Sequence, residues 1–160
     1  MSENGQKVTT CLWFDTQAED AAKLYTSLFD DSRISAVSRQ PDGQALMVEF
    51  ELAGITYQAL NGGPVYQLSE ACSLSVACDT QAEIDHFWSA LLAGGGEESQ
   101  CGWLKDRFGL SWQIVPSALG TMMTDPDPER VGRVVAAFMS MKKFDLAALE
   151  AAYRGEEDAG

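Results

Sequence analysis

The sequence predicts an α+β fold of two tandem βαβββ modules plus C-terminal helices, and internal echoes carry the prediction. Asp15-Thr16-Gln17-Ala18-Glu19 returns as Asp79-Thr80-Gln81-Ala82-Glu83, and Gly54-Ile55-Thr56-Tyr57-Gln58-Ala59-Leu60 returns as Gly109-Leu110-Ser111-Trp112-Gln113-Ile114-Val115. The echoes keep their order and bracket units of about 45 residues, the signature of a repeated module. After Pro116 the pattern turns helical. Module one is expected over about 7–61, a linker over 62–71, module two over about 72–116 and the C-terminal helices over about 121–154. The whole reads as a single domain.

Val8 to Phe14 is a short apolar run rich in strand formers, and Thr16-x-x-Glu19 behind it has the form of a capping box at a helix start. That helix carries Ala18, Ala21, Ala22, Tyr25, Leu28 and Phe29 on one stripe. Strands follow at Ile34 to Arg39, at Gln44 to Leu52 after the turn Pro41-Asp42-Gly43, and at Ile55 to Leu60 after the turn at Gly54. In module two, Cys72 to Cys78 alternates like a strand and Thr80-x-x-Glu83 caps a helix with Ile84, Phe87, Trp88, Leu91 and Leu92 on one face. Strands near Ser99 to Lys105 and Leu110 to Val115 flank the turn Asp106-Arg107-Phe108-Gly109. This copy lacks one recognisable strand, or its second strand is brief. Asp127-Pro128 and Asp145 each start a further amphipathic helix, whose apolar face needs cover.

A chain of 160 residues suits one compact domain or two small fused modules. Its formal net charge is -13, and Gln40 to Leu104 contains no Lys or Arg while carrying Asp42, Glu49, Glu51, Glu70, Asp79, Glu83, Asp85, Glu97 and Glu98. Such a surface repels phosphates, so nucleic acid and anionic membrane are not expected partners. No apolar run approaches the ~20 residues of a membrane helix, and the first residues do not resemble a secretory signal. Cys11, Cys72, Cys78 and Cys101 form no CxxC pair. Reduced thiols in a cytoplasmic protein are expected.

Several stretches resemble one branch of a known superfamily: Phe50-Glu51-Leu52-Ala53-Gly54, Ala59-Leu60-Asn61-Gly62-Gly63-Pro64, the long run Cys101 to Pro116, and Met141-Lys142-Lys143. With the tandem βαβββ order and the D-x-x-G turn, they resemble the PhnB-like branch of the vicinal oxygen chelate superfamily, which holds glyoxalases, extradiol dioxygenases and bleomycin-resistance proteins. The resemblance spans residues 8 to 154. It implies cupped mixed sheets around a cavity, a homodimer built with or without exchange of modules, and, in the superfamily's enzymes, a divalent metal held by His and Glu. The resemblance puts the last-strand ligand four positions after the turn glycine, where this chain has Gln58 after Gly54 and Gln113 after Gly109.

That substitution decides the expected chemistry. Two neutral amides without imidazole or carboxylate would hold a transition metal weakly, and the first strand of each module contains no His, Asp or Glu. No catalytic metal is expected. The branch is often labelled 3-demethylubiquinone-9 3-methyltransferase-like, but S-adenosylmethionine would ask for a glycine-rich strand-to-helix turn in a doubly wound sheet. Gly94-Gly95-Gly96 follows a helix instead.

The candidate pocket residues are Gln58, Gln113, Trp13, Glu49, Cys101 and Trp103. Tyr57 and Trp112 flank the glutamines on the opposite strand face, so one set points into the cup and the other into helix packing. The family pattern places the glutamines inward, where they either meet a polar group of a ligand or bond to neighbouring strands. Glu49 and Glu51 share a face and are expected to meet solvent, while Val48, Phe50 and Leu52 meet the core. Cys101, Trp103 and Lys105 are expected on one strand face, with Cys101 and Lys105 some 13 Å apart at ~3.3 Å per residue, too far for direct activation of the thiol. His86, the lone histidine, is expected at the surface of the second helix.

The sequence therefore points to a protein that binds a small organic molecule in its cup, with no reaction assigned. Its alternatives are a lyase or dioxygenase using a divalent metal through Gln58, Gln113 and Glu49, and a drug-sequestering protein of the resistance kind whose acidity attracts a cationic compound.

Overall fold

A computed structural model describes residues 5–156. The chain divides into two compact units, Met1–Leu68 and Ser69–Gly160. The first consists of β1 (Thr10–Phe14), α1 (Ala18–Leu28), β2 (Arg33–Arg39), β3 (Ala45–Leu52) and β4 (Ile55–Asn61). Its sheet has the order β1-β4-β3-β2, with β1 parallel to β4 and the other pairs antiparallel. A parallel pair needs a crossover, and α1 with the β2–β3 hairpin supplies it.

The period-2 pattern sorts this sheet's faces. Leu12, Phe14, Val48, Phe50 and Ala59 are buried on the face that receives α1, whose Ala18, Ala21, Ala22 and Tyr25 are all fully buried. Tyr25 meets Phe50 at 6.3 Å between ring centres, and Phe50 stacks on Tyr57 at 5.6 Å. Burying side chains of this size contributes roughly 1.5–3 kcal/mol each. Small alanines let the helix backbone approach the sheet, and the aromatics fill the space beside them.

The predicted capping box at Thr16 does not form. The helix N-cap is Gln17 with no side-chain cap, and Ala18 N–H donates instead to Asn61 Oδ1 at 2.8 Å. Asn61 ends the neighbouring strand and donates to Ala45 C=O at 3.0 Å, so a residue distant in sequence supplies the acceptor. Glu19 is drawn away by Arg39 and Lys23.

The second unit contains β5 (Ser73–Cys78), α2 (Gln81–Leu92), β6 (Glu97–Glu98), β7 (Trp103–Lys105), β8 (Ser111–Pro116), α3 (Ser117–Met123), α4 (Pro128–Phe138) and α5 (Leu146–Arg154). The sheet order β5-β8-β7-β6 repeats the first unit, again with one parallel pair, β5–β8. Here the predicted cap forms: Thr80 Oγ1 accepts from Glu83 N–H at 3.2 Å, and Glu83 Oε2 accepts from Asp79 N–H at 2.8 Å. Ile84, Trp88 and Leu91 are buried on α2, and Leu104, Trp112 and Ile114 are buried on the sheet face of matching parity. The expected brief second strand is β6, two residues long.

Most strand ends fall within two residues of expectation, and the start of β7 falls four residues later. Cys101 is not on a strand: it takes a left-handed conformation (φ 56°) in the turn before β7. The cause is the C-terminal segment, for Cys101 N–H donates to Met141 C=O at 2.8 Å and Gly102 N–H to Lys142 C=O at 2.7 Å. At Gly102 a Cβ would lie 2.4 Å from Phe144 Cε2, so only glycine permits this approach. Gln81 fastens the same segment, donating to Phe144 C=O at 3.0 Å and accepting from Leu146 N–H at 2.8 Å. The C-terminal helices begin at Ser117, a few residues before their predicted start, since α3 follows β8 directly. Among the described residues no helix is long and apolar enough to cross a membrane.

Candidate functional site

Each sheet has one face taken up by its own helix, and the candidate site residues other than Cys101 lie on the other. In the first unit Cys11, Gln58 and Glu49 are neighbours in register across β1, β4 and β3, and Trp13, Leu60 and Met47 form the next row. Facing residues in such rows stand about 4.5–5.5 Å apart at Cβ. Gln58 and Glu49 are half-buried and Cys11 is exposed. Glu49 Oε1 accepts from Ser35 Oγ at 3.2 Å. Partial burial pushes the Cys11 thiol above its ordinary pKa, which opposes a reactive thiolate. Among the described residues the Gln58 side chain has no hydrogen-bond partner.

Trp13 is on this face but is covered locally. Its indole N–H donates to Gly63 C=O at 2.9 Å, and Tyr66 packs edge-on at 5.0 Å. Gly62 lies against the same ring, where a Cβ would fall 2.3 Å from Trp13 Cζ2. The linker is thus folded onto Trp13.

In the second unit Gln113 shares its row with Ser75 and Trp103. Gln113 Nε2 donates to Ser73 Oγ at 2.9 Å, a bond to the neighbouring strand. The two glutamines thus occupy equivalent positions with different partners: Gln113 is tied to β5 and Gln58 is not. Tyr57 and Trp112 are on the helix side as expected, and Trp112 is only 1% exposed. Its indole N–H donates to Asp106 Oδ2 at 2.9 Å, while Asp106 Oδ1 accepts from Phe108 N–H at 2.8 Å and Leu110 N–H at 3.1 Å. The D-x-x-G turn is therefore a structural device that satisfies a buried indole.

One expected site residue, Cys101, and one carboxylate expected at the solvent, Glu51, are placed elsewhere. Cys101 points toward α4, its thiol donating to Phe138 C=O at 3.6 Å, and shares no face with Trp103 or Lys105. Glu51 is not at the solvent: it is only 9% exposed, because Arg33 pairs with it at 3.3 Å. His86 is exposed on α2, its ring 5.4 Å from that of Phe87. Cys78 is buried, and burial pushes its thiol up to about 11, so it is inert at neutral pH.

A cavity of about 200 Å³ opens in the second unit, lined by Glu70, Glu97, Glu98, Ser99, Trp103, Leu104, Lys105 and Ser111. Of these only Trp103 was a sequence-derived candidate. Lys105 Nζ sits 2.9 Å from Glu70 Oε1 and 3.7 Å from Glu97 Oε2. This pairing holds the Glu70 carboxyl below its ordinary range and the ammonium above its own. The signal in the sequence was the repeat itself, for aligning β1 with β5 places Glu70 on Gln6, and aligning the last strands places Ser111 on Thr56.

Comparison with known proteins follows the same lines. Residues 6–115 match the family model described as 3-demethylubiquinone-9 3-methyltransferase. A PhnB protein from Bacillus cereus is 33% identical, with a TM-score of 0.65 over 69% of this chain and 99% of its own. A protein from Pseudomonas aeruginosa shares the fold at 18% identity, with a TM-score of 0.56 over 70% of this chain and 98% of its own. A glyoxalase-related enzyme from Fulvimarina pelagi is similar at 13% identity, with a TM-score of 0.48 over 71% of this chain and 91% of its own. Among curated proteins none matches.

Proposed function

The chain belongs to the family described as 3-demethylubiquinone-9 3-methyltransferase, the PhnB family, and on that premise we propose that it binds a small organic molecule on the helix-free faces of its sheets, without a catalytic metal. The observation that carries this reading is Gln58: a half-buried amide with no partner among the described residues, set beside Cys11 and Glu49 on the helix-free face. Its amide atoms are not among the fully buried ones, so water satisfies them until a ligand's polar group takes that place.

The donor set supports the absence of a metal. Around Gln58 the register supplies one carboxylate, Glu49, already engaged by Ser35, and one thiol, Cys11, which burial keeps protonated, and around Gln113 it supplies Ser75 and Trp103, which are poor ligands. Among the described residues no three His, Cys, Asp or Glu side chains are grouped to hold an ion. Methyl transfer has no support either. S-adenosylmethionine asks for a doubly wound parallel sheet with a glycine-rich strand-to-helix turn, whereas each sheet here has one parallel pair, and Asp15 to Gln17 and Asp79-Thr80 lead into the helices after β1 and β5.

We also propose a homodimer, on the ground that each sheet ends in edge strands, β1 and β2 in the first and β5 and β6 in the second, of the kind that pair across subunits. The four thiols are all unpaired, which suits the reducing cytoplasm.

The test is metal analysis of protein purified without chelator, together with an NMR screen of small organic fragments. Metal well below one equivalent per chain, with fragments shifting the Gln58 side-chain amide, is the expected result. Stoichiometric Zn, Ni, Mn or Fe lost on substituting Gln58 and Gln113 would overturn it. Sedimentation at micromolar concentration tests the dimer, and a monomer there would refute it.

A further inference from the structure

The two repeats carry the same buried hydroxyl and treat it differently. Thr56 and Ser111 each lie two residues before their module's glutamine and point to the helix-free face. Thr56 is 2% exposed and Ser111 1%, and both side-chain oxygens are without a hydrogen-bond partner among the described residues. In the first unit Gln6 lies against the position, its Oε1 accepting from Thr56 N–H at 3.0 Å and its Nε2 donating to Thr56 C=O at 3.1 Å. Beside it Glu51 is buried against Arg33.

In the second unit the equivalents of Gln6, Glu51 and Arg33 are Glu70, Lys105 and Glu97, by register. The strand-edge ion pair has reversed its sign. Glu70 turns to Lys105 rather than to the Ser111 backbone, and the space left over Ser111 is the cavity of about 200 Å³. The floor holds an unpartnered hydroxyl, one wall carries the Trp103 indole, and the rim carries Glu70, Glu97 and Glu98 against Lys105. Glu98 accepts from the Trp88 indole at 3.0 Å and sits 3.6 Å from Lys142. Three carboxylates against two ammonium groups leave the rim negative.

We propose that this cavity is a subsite for a small organic ammonium group, with Ser111 Oγ accepting from its N–H, the Glu70 and Glu97 carboxylates neutralising it, and Trp103 packing against the carbon framework it carries. The inference rests on the reading that the helix-free face of the second unit receives a ligand, and it names the ligand's class. Charge selects a cation over a carboxylate, and the aromatic wall favours an amine attached to a flat apolar group. The volume is below the ~300 Å³ at which drug-sized pockets begin, so it accommodates the amine-bearing end of a molecule rather than a whole drug.

The probe is benzylammonium, compared with benzyl alcohol and benzoate, titrated into the full chain and followed by ¹⁵N chemical shifts. Saturable shifts of the Ser111 and Lys105 amides and the Trp103 indole are expected, with Kd on the order of 1 mM for a probe of this size. Benzyl alcohol should bind more weakly and benzoate not at all. S111A is expected to weaken benzylammonium about fivefold, the scale of one hydrogen bond, and E70Q by a similar factor because it also frees Lys105. Glu70 is exposed, so E70Q keeps the test intact should S111A fail to fold. Equal binding of benzoate, or unchanged affinity in E70Q, overturns the proposal. Shifts confined to Gln113 and Ser75 would overturn the ammonium subsite while preserving a ligand on that face, and no shift for any probe would count against both.

Discussion

The two modules share a fold and differ in what holds each part of it. In the first, Asn61 at the end of β4 caps α1, a two-residue turn at Ala53-Gly54 joins β3 to β4, and Gln6 lies against Thr56. In the second, Pro116 stands where Asn61 would, so Thr80 caps α2 from its own sequence. The turn lengthens to hold Asp106 under Trp112, and Cys101-Gly102 is given over to the C-terminal segment. Equivalent positions keep their geometry, and the interactions at those positions have been reassigned. The lesson is that a duplicated scaffold conserves face and register, because a one-residue slip would expose a whole core row, while caps and turns vary locally.

The sharpest way to break this comparison is at Asp106. D106A leaves the Phe108 and Leu110 N–H groups and the Trp112 indole without acceptors, and a loss of about 4 kcal/mol is expected by urea unfolding. A loss below about 1 kcal/mol would mean the two turns are interchangeable.

G102A comes next. Its Cβ would collide with Phe144 on a residue already at positive φ, costing about 2–3 kcal/mol and raising hydrogen exchange over 141–154. Exchange unchanged there would deny that Gly102 anchors the C-terminal segment.

The caps give a smaller, three-way test. N61A and T80A should each cost about 1 kcal/mol, and T16A less than about 0.5 kcal/mol, since the echoed threonines are equal in sequence and unequal in role. Equal losses for T16A and T80A would restore the capping box that the structure lacks.

The smallest effect is in acid. Hydrogen bonds from cationic, amide or hydroxyl partners lower the carboxyl pKa of Glu70, Asp85, Asp125 and Glu156 in the second unit, and of Glu19 in the first. A lowered carboxyl contributes stability that is complete above its ordinary value, near 4, and fades as pH falls through the folded one. The second unit should thus lose more stability than the first as the pH falls below about 4.5. All five groups are solvent-accessible, so the effect is screened, and salt should shrink it. Residue-resolved exchange at pH 3 showing equal loss would remove this asymmetry.

Much of the site's placement could be read from the chain. Alternation along Ile55 to Leu60 and Leu110 to Val115 put Gln58 and Gln113 opposite Tyr57 and Trp112, whereas Glu49 comes to lie beside Gln58 only through the register of β3 on β4. Trp13 lies on the same face as Gln58, and nothing in its neighbourhood in the sequence announced that Tyr66 would cover it. Cys101 went astray because a strand pattern near Ser99 to Lys105 takes no account of carbonyls arriving from Met141 and Lys142.

By itself the sequence determined the two-module α+β fold, the helix stripes and the helix-free faces, because these follow from periodicities of 2 and 3.6 residues that every few positions restate. The tertiary structure alone decided that Asn61 caps a helix 43 residues away, that Glu51 is buried against Arg33, and that two equivalent hydroxyls are both buried without a partner among the described residues, the one at Ser111 belonging to the lining of a cavity. Those outcomes depend on single hydrogen bonds and ion pairs between segments far apart along the chain, and local pattern carries no record of which partner arrives.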